Sequence, residues 1–261
     1  MIHGRKDQVA RNKRSRQRGA ILEEIRRSCI VTGPTKGLGH AISSHLIASG
    51  YEVIGVARSR PHDWIGRDFI EADLSTEAGV ELITEKIRQF DSIWAVVNNV
   101  GAGSIQSLDE LTGNQMMHLF WVNAVVPSLI TQSACRQMRD GGRVLNMSSV
   151  ASLGAPHRSS YGASKAALSS LTKTWALELA PKMITVNAIA PGPIETGMFR
   201  TFNPPGSEGE ARIRAQIPLG YFGTPEEVAE LAMYILSPST RYLTGQIFYV
   251  DGGLSVGHAT V

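Results

Sequence analysis

The stretch 29-CIVTGPTKGLGHA-41 decides how the rest of the chain is read. A short β-rich run, Cys29 to Thr32, leads straight into Gly33, and Gly37 and Gly39 follow where helical periodicity begins. A strand that turns sharply into a helix presents free N–H groups and the positive end of the helix dipole. Glycines at that turn let the backbone come close to a pyrophosphate. The spacing is G-x-x-x-G-x-G rather than the G-x-G-x-x-G of the common dinucleotide loop, so the placement between strand and helix carries more weight than the glycines alone.

The same alternation extends outward on the C-terminal side. The runs "YEVIGVAR", "DFIEADL", "IWAVVNNVG", "GRVLNMSS", "ITVNAIAPG" and "QIFYVDGG" alternate with helical segments such as "GHAISSHLIASG" and "EEVAELAMYILS". Nearly continuous apolar strands recurring between helices indicate a parallel sheet covered on both faces. The expectation is an α/β fold: a doubly wound, parallel, seven-stranded sheet of Rossmann type in a single domain over 28–261. Right-handed crossovers bring the carboxyl ends of the strands to one edge, where such folds bind ligands. The longest irregular piece, "FRTFNPPGSEGEAR" at 199–212, suits either a mobile lid at that edge or a surface loop.

Composition narrows the class. The chain has 261 residues, of which 43% are hydrophobic, ample for a core. No apolar run approaches the ~18 residues of a membrane span, and no secretory signal pattern opens the chain, so the cytoplasm is the expected compartment. Cys29 and Cys135 lack metal-ligand or redox spacing and read as free thiols, with no metal site expected. Residues 1–28 hold nine Lys/Arg and three Asp/Glu against a total of +3, which leaves −3 for the remainder. The basic N-terminal extension over 1–27 is expected to be a disordered arm or a short helix around "AILEEIRR". Electrostatic contact with nucleic acid is the less favoured reading.

In "SSYGASKAALSS", 159–170, small residues surround one phenol, Tyr161, and one ammonium, Lys165, a helical turn apart. By itself this is compatible with a closely packed helix carrying both at its surface. Together with the glycine loop, "NNVG" at 98–101, Asn123, Ser148 and "PGPIET" at 191–196, it resembles the short-chain dehydrogenase/reductase family over about residues 28–261, with 3-oxoacyl-carrier-protein reductases nearest in appearance. The resemblance implies hydride transfer between a nicotinamide cofactor and a carbonyl carbon. A carbonyl that accepts hydride needs a proton, and a free phenol with pKa near ~10 is a sluggish donor. Lys165, at i+4, is expected to lower that pKa by its charge and, by resemblance, to bond the nicotinamide ribose. Ser148, thirteen positions before Tyr161, is expected to hydrogen-bond the substrate oxygen, with Ser149 as its competitor. Asn123 sits in an otherwise apolar helix, and the resemblance gives it a kink and a proton-relaying water.

Cofactor contacts follow from the same resemblance. They are Gly33, Thr35, Lys36, Gly37, Leu38 and Gly39 in the first loop; Arg58 after the second strand; Asp73 and Leu74 at the adenine; Asn99 and Gly101 at the adenosine ribose; Tyr161 and Lys165; and Pro191, Gly192, Ile194 and Thr196 around the carboxamide. Val100 replaces the family's usual alanine there. Family members that use NAD carry an acid at the end of the second strand, where this chain has Ala57 followed by Arg58. A guanidinium pairs with a 2′-phosphate that a carboxylate would repel, and Lys36 adds a second cation, so NADP(H) is the expected cofactor.

Substrate identity is less determined. A 3-oxoacyl or general ketone reductase is expected, with a polyol, sugar or cyclic alcohol dehydrogenase as the alternative and a non-catalytic NADP-binding sensor behind both. Met198, Phe199, Phe202, Trp121 and His157 are candidates for an apolar pocket. An acyl carrier protein is possible but not favoured: Lys182 retains one expected docking charge, whereas Leu129 stands where another would sit. The resemblance also implies a homotetramer. Arg58→Asp is expected to shift the ratio of kcat/KM for NADP over NAD toward NAD by about tenfold or more. Unchanged NADP affinity in that variant would contradict the assignment.

Overall fold

The computed structural model describes residues 27–257. The basic extension expected over 1–27, with its lead-in helix, lies outside the described residues except for Arg27. All seven expected strands are present: β1 Ser28–Thr32, β2 Glu52–Ala57, β3 Asp68–Glu71, β4 Ile93–Asn98, β5 Met138–Met147, β6 Thr185–Pro191 and β7 Ile247–Val250. They form one sheet in the order β3-β2-β1-β4-β5-β6-β7, with every pairing parallel. The winding direction reverses at β1, which lies between β2 and β4, so a crevice opens at its carboxyl end.

Two-residue alternation along each strand feeds two cores. Ile30, Ile54, Val96 and Val144 face the layer made by α2 (Glu77–Ile87) and α4 (Val126–Cys135), which contribute Ile83 and Ile130. Cys29, Val31, Val53, Val97 and Leu145 face α1 (Gly37–Ala48) and α8 (Pro225–Leu236), which contribute Ile42, Leu46, Val228 and Ala232. Burial on both faces explains why these strands read as continuous apolar runs. Both cysteines are buried free thiols.

Beneath the carboxyl edge a chain of polar side chains ties sheet to helices. Asn98 donates to Thr131 at 2.9 Å and to Asn146 at 2.8 Å. Asn146 donates to Thr172 at 2.9 Å, on α5 (Ser159–Leu179). Each group is buried, so losing a partner would leave a costly unpaired amide. The register of β4, β5 and α5 is thereby held where the site is built.

The stretch 199–212, read from sequence as irregular, is largely helical: α6 Gly197–Phe202 and α7 Glu208–Gln216. Thr196 and Ser207 cap the two helices by accepting from Phe199 N and Glu210 N. Arg200 joins them through carboxylates on both sides, Glu195 and Glu210. The six- and nine-residue helices are too short to be stable by periodicity alone, and these caps and ion pairs supply the difference. Among the described residues no helix is long and apolar enough to cross a membrane.

Candidate active site

The helix α5 carries Tyr161 and Lys165 and packs closely on the turn after β5: a Cβ at Gly162 would stand 2.6 Å from the carbonyl oxygen of Ala151. That approach buries Lys165 to 4% exposure, and its Nζ donates to the carbonyl oxygen of Met147 at 2.7 Å. Burial lowers the lysine pKa to about 8. Burial also raises the pKa of Tyr161, while a hydrogen bond with the Ser149 side chain and the charge of Arg158 pull it part of the way back. The groups that counter burial at the phenol here are Ser149 and Arg158. In this structure the ammonium is committed to a strand carbonyl, and the phenol stays a proton donor at neutral pH.

The serine assignment also changes. Ser148 follows Asn146 on the alternating strand and faces the underside of α5, where its Oγ donates to the Lys165 carbonyl at 3.2 Å and shares a 2.7 Å hydrogen bond with Ser169. Ser149 is the hydroxyl beside Tyr161. Its Oγ also accepts from Ala151 N at 3.2 Å, which fixes its direction. Counting thirteen positions misses this; two-residue alternation from buried Asn146 through Ser148 would have found it.

Asn123 lies in a π-helical turn, Trp121–Val125, that interrupts the α-helical pattern between α3 (Gly113–Phe120) and α4. Its side chain accepts from Ala102 N at 3.0 Å and donates to Ala102 O at 2.9 Å and to Ser164 Oγ at 3.0 Å. The amide clamps the loop after β4 to α5. Gly101 fits in that clamp because it lacks a side chain; a Cβ there would come within 3.1 Å of Asn123 Oδ1 and 3.2 Å of Lys165 Nζ. Asn99 donates to the carbonyls of Thr32, at 2.9 Å, and Gly33, at 3.1 Å, so it holds the glycine loop in shape.

In that loop Gly33 and Gly37 have φ of +67° and +55°, and a Cβ at Gly39 would stand 2.0 Å from the Gly33 carbonyl oxygen. Val100 Cγ2 borders Gly33. Leu38 packs against the core, whereas Thr35 and Lys36 are exposed. No side chain caps α1 and no acid lies in its first turn, so its N–H groups are open to an anion. Thr196 packs against Gly37, where a Cβ would lie 3.4 Å from its methyl, bringing the segment after β6 onto the loop. Pro191 and Ile194 are buried there, and Gly192 lies against Asp251. Arg58 is exposed at the end of β2, near enough to Asp73 to lower its pKa behind the larger effect of Ser75. Leu74 is buried, and its carbonyl accepts from Trp121 Nε1 at 3.3 Å. Open N–H groups and room for a close backbone approach fit the pyrophosphate of a nicotinamide dinucleotide.

The pocket candidates separate. Met198 Sδ and Phe202 both lie 3.9 Å from a Cβ placed on Gly103, so α6 covers the loop after β4. Phe199 instead packs on Phe222 with ring centroids 4.8 Å apart, Trp121 bonds the Leu74 carbonyl beyond β3, and His157 is exposed. Lys182 sits just before β6, at the amino edge opposite the site, where its Nζ donates to the Cys135 carbonyl at 3.4 Å.

A family profile described as enoyl-(acyl carrier protein) reductase matches residues 33–255. The chain is 34% identical over 240 residues to the 3-oxoacyl-[acyl-carrier-protein] reductase of Aquifex aeolicus, an alignment covering 86% of this chain and 96% of that one. It is 30% identical over 253 residues to the L-2,3-butanediol dehydrogenase of Corynebacterium glutamicum, covering 86% and 97%. Among solved structures, a blue fluorescent protein from a metagenomic library, in complex with NADPH, superposes with a TM-score of 0.78 at 29% identity over 87% of this chain and 97% of that one.

The buried lysine makes a stability prediction. Its folded pKa lies below the ordinary lysine value, so the unfolded chain binds the extra proton between about pH 8 and 10.4, and stability rises with pH across that window. Below pH 8 the charged lysine carries its full burial cost. Lys165→Met should therefore be more stable than the parent at pH 7 by about 2 kcal/mol, after allowing for the lost hydrogen bond, and the gain should shrink toward pH 10. Denaturant unfolding of ligand-free protein at both pH values measures it; a difference independent of pH would contradict the assignment.

Proposed function

The chain belongs to the short-chain dehydrogenase/reductase family, oxidoreductases acting on CH–OH groups, and from that premise we propose an NADP(H)-dependent reductase that interconverts a ketone and a secondary alcohol. The observation that carries this reading is the enclosed Tyr161 phenol with Ser149 beside it and Lys165 buried one helical turn further on. When bound, the nicotinamide supplies the hydride. The phenol of Tyr161 gives its proton to the substrate oxygen as negative charge develops there, and Ser149 Oγ donates a hydrogen bond to the same oxygen. The raised pKa of Tyr161 keeps that proton in place at neutral pH, so the protein stands ready for reduction, and oxidation needs a higher pH.

The glycine loop, the open end of α1, Asp73, Leu74, Asn99, Gly101, Pro191, Gly192, Ile194 and Thr196 would hold the cofactor. Arg58 and Lys36, with Ala57 in place of an acid, favour NADP, and a relative in complex with NADPH supports the choice. Lys165 lies one helical turn from Tyr161, and Asn123 fixes its surroundings by clamping Ala102 to Ser164. Ser148 is a structural residue in this reading. The reductase is of 3-oxoacyl or general carbonyl type, and the position of Lys182 argues against a carrier protein docked by it. Identity to a butanediol dehydrogenase favours a diol or polyol as second substrate class. One domain over 28–261, a homotetramer and a cytoplasmic location belong to the same reading, the last supported by two buried free thiols.

Purified protein with NADPH and a panel of acetoacetyl esters, diketones and cyclic ketones tests this by loss of nicotinamide absorbance. Ser149→Ala should lower kcat at least about 100-fold, Tyr161→Phe more, and Ser148→Ala less than about tenfold. The reverse order for the two serines would restore Ser148, and turnover by Tyr161→Phe would sink the mechanism.

A further inference from the structure

Arg143, Arg158 and Arg200 are each at least partly buried and stacked on aromatic rings, and they are satisfied differently. Arg143 is buried on β5 over Trp94 and gives Nε, Nη1 and Nη2 to the carbonyls of Gly141, Gly142, Ser237 and Pro238. Arg200 packs on Phe199 and Phe222 and meets the carboxylates of Glu195 and Glu210. Arg158 lies beside the reacting phenol, and of its donors only Nη1 has a protein partner, the carbonyl of Ser104 at 2.9 Å. Among the described residues no carboxylate lies within ion-pair distance of it.

Its position is built. The preceding residue, His157, holds a left-handed backbone conformation, φ 58°, and its carbonyl accepts from Gln106 N at 2.9 Å, which fastens the turn to the loop after β4. The Arg158 guanidinium carbon then lies 5.9 Å from the Tyr161 ring centroid and 5.2 Å from that of Phe202 on α6. It stands between the proton donor and the helix that covers the site. Half-buried and with Nε and Nη2 unpartnered, a guanidinium is a strong receptor for an anion, because its fork matches a carboxylate in two parallel hydrogen bonds.

We propose that Arg158 anchors a carboxylate on the substrate, so that the substrate is a short oxo acid and its product the corresponding hydroxy acid. This rests on the reductase reading above and narrows it. The carbonyl oxygen would sit at Tyr161 and Ser149, and the carboxylate would occupy the free donors of Arg158 across the same ring. Met198 and Phe202 are neutral and apolar, and the adjacent His157 is exposed and faces the acids Asp109 and Glu110. One guanidinium without a second cation beside it matches a single negative charge better than a phosphate.

The test compares acetoacetate with methyl acetoacetate, which share the 3-oxo group but carry a carboxylate in one and a neutral methyl ester in the other, using NADPH and the whole chain. The parent protein should prefer the acid. In Arg158→Gln the ratio of kcat/KM for acid over ester should fall about 10- to 100-fold, and Arg158→Lys should recover part of it. The ratio cancels any change in Tyr161 that affects both substrates alike. Butanoate, which cannot be reduced, should inhibit ester reduction, with a Ki at least about tenfold higher in Arg158→Gln. Ester reduction with no preference for the acid, or an acid-to-ester ratio that stays within about threefold in Arg158→Gln, would overturn the carboxylate anchor and leave the reductase standing. Failure of the parent to reduce either compound or any neutral ketone would overturn both.

Discussion

An ammonium with no ion-pair partner among the described residues is held inside this protein by one strand carbonyl, at 2.7 Å, and the geometry of the carboxyl edge depends on it. Lys165 reaches Met147 only because α5 lies almost in contact with the turn after β5, and α5 can lie there only because Gly162 and the small residues around it keep the interface thin. The same thinness leaves Gly101 against the ammonium and Asn123 against Gly101. A larger residue at any of these positions would push helix from sheet and separate the phenol from Ser149. The small-residue composition of 159–170 is thus a packing requirement imposed by a buried charge.

That arrangement gives two opposite effects of one cause. Burial disfavours charge on both neighbours, which makes the lysine a weaker base and the tyrosine a weaker acid. A proton therefore stays on the phenol at neutral pH, as reduction of a ketone requires. Arg158 and Ser149 work against burial at the same hydroxyl, so any substrate or cofactor that changes their contacts also changes how readily the proton leaves.

Much of this was legible in the sequence, for identifiable reasons. Strands buried on both faces announce themselves as apolar runs, so all seven were found, and the strand-loop-helix at 29–41 located the crevice. Asn123 stood out as a polar amide in an apolar helix, whereas Tyr161 and Lys165 became legible only when the glycine loop, "NNVG", Ser148 and "PGPIET" were read with them. What escaped depended on side-chain direction. Ser148 and Ser149 differ by one residue and therefore by one face of β5, which an interval count cannot see. The helices at 197–216 are held by caps and an arginine between two acids rather than by periodicity. That Lys182 lies at the amino edge and bonds the Cys135 carbonyl follows from topology and not from its neighbours in sequence. Arg158 carries no signal in the sequence; only the folded loop after β4 and the cover of α6 reveal it beside the phenol.

The central claim is that enclosure, and not a neighbouring ammonium, decides where the Tyr161 proton resides in the ligand-free protein. Ultraviolet difference titration of the parent chain against Tyr161→Phe isolates that one phenol. The expected result is a phenolate signal that appears only above about pH 10, where ordinary tyrosine titrates. A full phenolate signal already present between about pH 6 and 8 would contradict it and return control of the proton to Lys165.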